Sequence, residues 1–173
     1  RAAEIREVSD ADGLGIRLIH QELSLAPNLS VAENIFLGRE PARWGFVKRR
    51  RMNADAETLI RDLALPEIGS VGTLVADLSV AEQQMVEIAR ALSAQARVLV
   101  LDEPTASLSE TETEALFGKL RALAGQGVGI IYISHRLEEI RRLAHRVTVL
   151  RDGRSVGSQD AAQLNQNELI RLM

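Results

Sequence analysis

The sequence contains no cysteine, so it can form neither a disulfide bond nor a thiolate metal site. This absence fits a cytosolic protein. Long apolar runs are also missing, and the longest ones, residues 98–101 and 130–133, are far too short to cross a bilayer. The chain begins with Arg1 and shows no signal peptide. We therefore expect it to be a fragment that begins inside a longer protein.

Neither sign of charge dominates the sequence. Charged residues make up 26% of it, the net charge is −3 and the pI is about 5.7. Such a balance argues against a polyanionic partner, and we expect no nucleic-acid binding. The hydrophobic content is 46% of 173 residues, which is enough for one packed domain or a large piece of one.

Three apolar runs, residues 15–19, 98–101 and 129–133, are separated by segments with helical periodicity. This alternation predicts an α/β domain with a mostly parallel sheet. Polar residues follow each run directly: His20 and Gln21, Asp102 and Glu103, Ser134 and His135. The carboxyl ends of strands are where open α/β sheets bind ligands, so we expect these side chains to face one crevice.

Helix starts are marked by three capping boxes of the form Ser-x-x-Glu, which begin at Ser30, Ser79 and Ser109. After Ser109, leucines recur on one face before Gly125, which predicts a crossover helix between the second and third strands. Residues 22–95 contain two of the boxes and little strand signal. We expect this stretch to be a mainly helical subdomain, with the sheet-containing core formed by residues 1–21 and 96–173.

Three local patterns complete the prediction. Asp152-Gly153 lies between short alternating segments and indicates a hairpin, and Asn165 is placed to start a last helix. The basic run at residues 48–51 has no interleaved aromatic residues, and we interpret it as a solvated turn before a helix that starts near Asn53.

The polar strand ends suggest chemistry, although each has a simpler explanation. Asp102 and Glu103 can serve a hydrated metal ion and an attacking water, or they can mark a strand that leaves the core and meets solvent. His135 can bond a phosphate or be an ordinary exposed residue. The helix start at Ser79 can bind an anion, or it can be a capping box without a ligand. We expect His20 and His145 to be surface residues.

The order of these motifs resembles the ABC-type ATPase. Gln21, "LSVAEQQMVEIARAL", "VLVLDEPTASL" and "YISH" follow one another as the Q-loop, signature motif, Walker B motif with D-loop, and H-loop do in that family. The detail of "IHQELSLAPNLSVAENIFLGRE" is similar to the ATP-binding subunit of bacterial monosaccharide importers of the ribose, xylose and galactose type. The resemblance implies a RecA-like (P-loop NTPase) α/β fold, truncated here, and the first of two tandem nucleotide-binding domains.

The resemblance also implies ATP and Mg²⁺ as cofactors and a role for each motif residue. Asp102 and Gln21 would hold magnesium, Glu103 would be the general base, and His135 would contact the γ-phosphate. Gln21 would also relay the nucleotide state to a permease. The signature motif and the D-loop would contact the nucleotide of a partner domain. The residues concerned are Ser79, Val80, Ala81, Glu82 and Ser107.

Three departures from the family pattern are visible. The signature motif, usually Leu-Ser-Gly-Gly-Gln, reads Leu-Ser-Val-Ala-Glu at residues 78–82, so β-carbons stand where glycines would let backbone approach phosphate. The D-loop ends in Ser109, where aspartate is common. No G-x-x-x-x-G-K-[ST] sequence is present, because the only Gly-Lys pair is Gly118-Lys119 inside a predicted helix. We expect the parent protein to hydrolyse ATP and this fragment to be inactive.

The resemblance further implies membrane permease subunits as partners, a second nucleotide-binding domain arranged head to tail, and indirectly a periplasmic sugar-binding protein. The implied location is peripheral, on the cytoplasmic face of the inner membrane. Two other functions stay open from the sequence: a non-transport ABC ATPase of DNA repair or the ribosome, and a non-catalytic interaction module on the same scaffold. The identity of the sugar is not encoded in these motifs.

Overall fold

A computed structural model describes residues 4–63, 65 and 68–163. The chain divides into two compact units, with the boundary between Ile131 and Tyr132. The first unit contains, in chain order, α1 (Val8–Gly13), β1 (Ile16–Ile19), α2 (Val31–Ile35), β2 (Ala42–Arg43), β3 (Phe46–Val47), α3 (Arg49–Asp62), α4 (Val80–Ser93), β4 (Val98–Asp102), α5 (Glu110–Gly125) and the start of β5 (Gly129–Ile133). The second contains α6 (Leu137–Leu143), β6 (Arg146–Arg151) and β7 (Arg154–Asp160).

The main sheet has the strand order β1-β4-β5. Strands β1 and β4 are parallel, and their register runs from Ile16 opposite Val98 to Ile19 opposite Leu101. Their carboxyl ends therefore reach the same edge of the sheet. The predicted α/β class is confirmed, and each of the three predicted strands lies within one residue of its expected bounds.

One face of the sheet is buried and supports the core. Ile19, Leu99 and Leu101 are at most 2% exposed, and α4 packs against β1. Helix α5 buries one apolar face, as its periodicity predicted. Leucine and phenylalanine side chains fill that face: Leu116, Phe117, Leu120 and Leu123.

Residues 22–95 contain the three helices α2, α3 and α4, of which α2 packs on both others. They also contain the short antiparallel hairpin β2–β3, which the sequence analysis missed. The interpretation of residues 48–51 as a turn was wrong, because Lys48 is the N-cap of α3 and the helix begins at Arg49. Arginine is a good helix former, and the buried i, i+4, i+8 stripe of Met52, Ala56 and Ile60 extends the helix toward these residues.

The three predicted capping boxes are confirmed. In α2, α4 and α5 the serine side chain accepts a hydrogen bond from the N–H of the glutamate three residues later, and the glutamate reaches back to the serine backbone. The hydrogen bonds that Glu33 accepts from the Ser30 backbone and hydroxyl lower the pKa of its carboxyl, and Arg49 lowers it further against an opposing effect of burial. The carboxylate form is thus the one that the α2 cap stabilises.

The second unit is built on the β6–β7 hairpin. Asp152 and Gly153 occupy its two-residue loop with φ of 50° and 73°, the left-handed conformation that this turn needs, so the predicted hairpin is confirmed. Val147 and Val149 are buried there against α6 and residues that follow it. The predicted helix at Asn165 lies outside the described residues.

Among the helices of the described residues, none combines the length and the apolar character that a membrane span requires.

Candidate functional site

The acidic pair lies at the carboxyl end of β4. Asp102 is the last residue of the strand and Glu103 follows it with φ of 45°, a left-handed conformation that is uncommon for a residue with a side chain. Gln21 lies two residues beyond Ile19, as Glu103 lies two residues beyond Leu101, and Ile19 pairs with Leu101. The first unit therefore brings Gln21 to the same sheet edge as the two acids, which are half-buried.

The turn after Glu103 is held by its own backbone. Glu103 accepts a hydrogen bond at its carbonyl from the N–H of Ala106 at 3.2 Å, and Thr105 accepts one from Leu108 at 3.2 Å. Thr105 is buried, whereas Ser107 is exposed. The left-handed residue thus turns the chain sharply out of the strand, and the tight turn presents Ser107 to solvent before α5 begins.

The loop after Gln21 has no regular secondary structure, yet two buried side chains fix it. Asn34 of α2 is fully buried, accepts the N–H of Ala26 at 2.8 Å and donates to the carbonyls of Ala26, Leu29 and Ser30. Glu87 of α4 accepts two hydrogen bonds from Ser24. The sequence analysis missed both residues. Their signal in the sequence is a polar residue on an otherwise apolar helix face.

The start of α4 carries the four predicted residues of the signature motif. The Ser79 N–H donates to the Glu82 carboxylate at 2.7 Å, and the Glu82 N–H donates to the Ser79 hydroxyl at 3.3 Å. The capping box does not use the N–H groups of Val80 and Ala81, the two residues between them. Ser79 and Val80 are exposed, so this helix start is accessible from solvent.

His135 belongs to the second unit, two residues after β5, and is exposed. Its neighbours are tied to the buried carboxylate of Glu139 on α6. Glu139 accepts hydrogen bonds from the Tyr132 hydroxyl at 2.8 Å, from the Ser134 hydroxyl at 2.9 Å and from the Arg136 guanidinium at 3.2 Å. The turn on both sides of His135 is therefore fixed by one acid, which the sequence analysis did not identify.

The donor atoms at the sheet edge suit a hydrated magnesium ion. Mg²⁺ prefers oxygen ligands, keeps several waters and is usually held by one or two carboxylates together with substrate phosphates. The carboxylate of Asp102 and the amide oxygen of Gln21 are of this kind. Within the described part of the chain, no cluster of three His, Asp or Glu side chains could hold a metal by itself. The residues present fit a metal that shares its shell with a ligand.

Comparison with known proteins gives a family match over more than half of the chain. The family described as "ABC transporter" matches residues 3–106. The chain is 51% identical over 170 residues to the putative ribose/galactose/methyl galactoside import ATP-binding protein 1 of Burkholderia ambifaria. It is 52% identical over 169 residues to the ribose import ATP-binding protein RbsA 2 of Streptomyces coelicolor. Each match covers 98% of this chain and 32% of the relative, so the chain spans about a third of their length.

A solved structure shows the same fold. The chain superimposes with a TM-score of 0.78 on MJ1267, an ATP-binding cassette of an ABC transporter in its ADP conformation, at 20% sequence identity. The match covers 96% of this chain and 71% of that one. The α/β architecture is that of ABC ATP-binding cassettes.

Proposed function

Because this chain belongs to the ABC transporter family, we propose that it is part of the ATP-hydrolysing subunit that energises a bacterial sugar importer. The observation that carries the proposal is the pair Asp102 and Glu103 at the end of β4, with Glu103 held in a left-handed conformation. Non-glycine residues in that conformation concentrate at functional sites. The relatives support the substrate class, since their names specify import of ribose or galactose.

The two acids take different roles in this proposal. Asp102, as the last residue of the strand, holds a hydrated Mg²⁺ together with Gln21. Glu103 lies at the sharp turn that follows the strand, where its carboxylate accepts the proton of the attacking water as a general base. When bound, the metal would neutralise the negative charge of the phosphate groups. Gln21 lies at the same edge and reports the state of the nucleotide.

The remaining motif residues act on phosphate groups. We assign His135 to the γ-phosphate of the bound ATP. The exposed start of α4 and the D-loop meet the nucleotide of a second, head-to-tail nucleotide-binding domain, because free N–H groups at a helix start attract anions. The residues assigned to this role are Ser79, Val80, Ala81, Glu82 and Ser107.

The proposed partners follow from the same assignment. ATP-driven closure of two such domains switches a pair of membrane permease subunits, and a periplasmic sugar-binding protein delivers the sugar to them. The subunit then lies at the cytoplasmic face of the inner membrane as a peripheral protein. Nucleic acid is not among the proposed partners, because a net charge of −3 does not favour binding to a polyanion.

Replacement of Glu103 tests the proposal. In the native full-length protein that carries this sequence, Glu103→Gln should leave ATP binding intact and lower turnover by roughly two to four orders of magnitude, the range for loss of a positioned base. Phosphate release and calorimetric ATP titration measure the two quantities. Glu110→Gln, an exposed acid at the start of α5, serves as the control and should retain turnover. Near-normal turnover in Glu103→Gln would overturn the assignment.

The 173-residue chain by itself should neither bind ATP tightly nor hydrolyse it. Its sequence contains no G-x-x-x-x-G-K-[ST] motif, and Gly118-Lys119 lies inside α5. Asp102 and Gln21 alone can recruit hydrated magnesium only weakly, since the metal relies on substrate phosphates to complete its shell. Calorimetry on this chain should show no binding at micromolar ATP, and micromolar affinity would contradict the expectation.

A further inference from the structure

We propose that the β2–β3 hairpin and the start of α3 bind the surface of a bilayer that contains anionic phospholipid. The inference goes beyond the proposed function and rests on it only for the location of the subunit at a membrane. It is carried by two exposed aromatic side chains, Trp44 and Phe46, which lie next to five exposed basic residues. None of these residues has a role in the proposed handling of ATP.

Residues 42–51 protrude from the first unit, because all of them are exposed. The hairpin closes at its base, where the Lys48 N–H donates to the Pro41 carbonyl at 2.7 Å. At the other end, Trp44 is 85% exposed and Phe46 is 79% exposed, whereas the other three aromatic residues of the sequence are buried or half-buried. We call these two side chains the aromatic tip.

The aromatic tip has the chemistry of a membrane interface. Tryptophan is enriched where lipid headgroups meet acyl chains, because its ring is apolar and its N–H can still reach a polar partner. Trp44 has φ of 55°, a left-handed conformation that is unfavourable for a bulky residue, and no burial within the first unit offsets it. Insertion of the ring into a bilayer interface would provide that burial.

The charge around the tip is positive, although the chain as a whole is acidic. Residues 41–51 contain five basic side chains and no acidic one, in a chain whose net charge is −3. Two of the five are paired, since Arg49 lies 3.6 Å from Glu33 and Arg51 lies 3.5 Å from Asp55. The remaining three form no ion pair with any residue that the structure describes; they are Arg43, Lys48 and Arg50. Clusters of this kind bind anionic lipid.

The start of α3 carries these cations at a cost to the helix. Its N-cap, Lys48, makes no side-chain capping hydrogen bond, and its first turn contains no acidic residue. The helices α2, α4 and α5 instead begin with a serine and a glutamate three residues later. Cations near a helix N-terminus oppose the helix dipole. An anionic surface next to α3 would offset this repulsion.

The spacing of the two features matches the layers of a bilayer surface. Three residues of extended chain separate the turn from the base of the hairpin, a distance of about 10 Å. Interfacial apolar groups lie about 5–10 Å below the headgroup surface, while Lys and Arg reach the phosphates. With the aromatic tip inserted, Lys48 and the start of α3 therefore lie at the level of the phosphate groups. A protruding hairpin suits this flat surface better than it suits a nucleic acid strand, which binds in grooves.

Vesicle flotation tests the proposal with the native full-length protein, purified without its permease. The protein should bind vesicles of phosphatidylglycerol and phosphatidylcholine, and bind vesicles of phosphatidylcholine alone at least about tenfold more weakly. Replacement of the three unpaired cations by glutamine should lower the partition coefficient about 10- to 100-fold, since each cation near an anionic surface contributes about fivefold. Replacement of the aromatic tip by Trp44→Asn and Phe46→Thr should lower it about tenfold, because less apolar area enters the interface.

The β6–β7 hairpin supplies a matched control. Leu150→Ser combined with Arg151→Gln and Arg154→Gln removes an exposed apolar side chain and two exposed cations from that hairpin. Binding to the anionic vesicles should change by less than about twofold, because the control leaves the proposed surface intact. ATP turnover in solution should equal the native rate in every variant, since none of the replaced residues is assigned to the nucleotide.

A second measurement locates the contact. Vesicles with bromine on their acyl chains should quench part of the tryptophan fluorescence of the native protein. That part should be missing in Trp44→Phe, which keeps an aromatic ring at the tip and should still bind.

Three results would overturn the proposal: no binding of the native protein to anionic vesicles, an equal loss in the β6–β7 control, or quenching that persists unchanged in Trp44→Phe. Binding that requires the permease and is lost with the aromatic tip would assign the hairpin to a protein partner and would also overturn it. Absence of vesicle binding beside turnover that depends on Glu103 would refute the lipid contact alone. Vesicle binding without ATP turnover in the native protein would refute the proposed function alone.

Discussion

At the scale of single residues, Asn34 shows how one side chain replaces secondary structure. It is fully buried, and its amide makes one hydrogen bond as acceptor and three as donor to the backbone of residues 26–30. Backbone polar groups in an irregular segment need partners, and here a side chain supplies them. The same segment continues to Ser30, which caps α2. Asn34 therefore determines the path between the Gln21 loop and that helix.

Removal of this amide should be costly. Asn34→Ala leaves the Ala26 N–H without its acceptor, whereas the carbonyls of residues 26, 29 and 30 each keep a backbone donor. We therefore expect the free energy of unfolding to fall by about 1–3 kcal/mol. Denaturant titration measures this loss, provided that the dependence of the free energy of unfolding on denaturant concentration is unchanged. Asn53→Ala, on α3 and half-exposed, is the control and should change stability by less than about 0.5 kcal/mol. A similar small change in Asn34→Ala would show that water replaces the amide.

The residue scale also shows what a sequence can reveal about the site. Asp102 and Glu103 could be predicted because an apolar run followed by two acids has a local explanation, a strand end. The partners of Asn34 and Glu87 could not, because a hydrogen bond between Ser24 and Glu87 depends on how α4 packs against β1. Neither does local sequence indicate that Glu103 adopts a positive φ, since such a conformation is imposed by its surroundings.

At the scale of elements, the β2–β3 hairpin is the clearest departure from the expected helical stretch. Its two-residue loop is Trp44-Gly45, with φ of 55° and 81°, the combination of a type I′ turn. Asn-Gly is the favoured pair there, and tryptophan is a bulky residue in a left-handed conformation. Trp44 is 85% exposed and Phe46 79% exposed, so burial does not offset the strain. The hairpin was missed because strands of two residues leave almost no alternation to detect.

Replacement of the tryptophan should stabilise this element. Trp44→Asn relieves left-handed strain and loses little burial, so we expect a gain of about 0.5–1 kcal/mol, which corresponds to about 1–4 °C in melting temperature. Gly45→Ala is the opposite control, because a β-carbon at φ of 81° should lower the melting temperature. A loss of stability in Trp44→Asn would instead show that the indole makes a stabilising contact.

At the scale of the whole molecule, the two faces of the main sheet differ. Residues that face α4 are buried, whereas Leu18 on β1 is 50% exposed and Ile131 on β5 is 53% exposed, with Val100 of β4 half-buried opposite Leu18. Parallel sheets in α/β proteins normally have both faces covered. Three neighbouring strands thus present apolar side chains to solvent on one face. Contiguous patches of this kind mark interaction sites or promote aggregation.

We expect the 173-residue chain in isolation to self-associate through this face, because association removes Leu18, Val100 and Ile131 from water. Light scattering over a concentration series should show a mass above that of the 19.0 kDa monomer. Leu18→Lys places a charge within this face, on the edge strand β1, and should shift the equilibrium toward monomer by about tenfold or more, since burial of a lysine charge opposes association. Leu150→Lys changes an exposed leucine on β6 and should leave the equilibrium unchanged, which controls for added charge. The expectation would be contradicted if the chain were cleanly monomeric at high concentration and melted cooperatively at high temperature. If the two lysine variants had equal effects, association would depend on net charge rather than on this face.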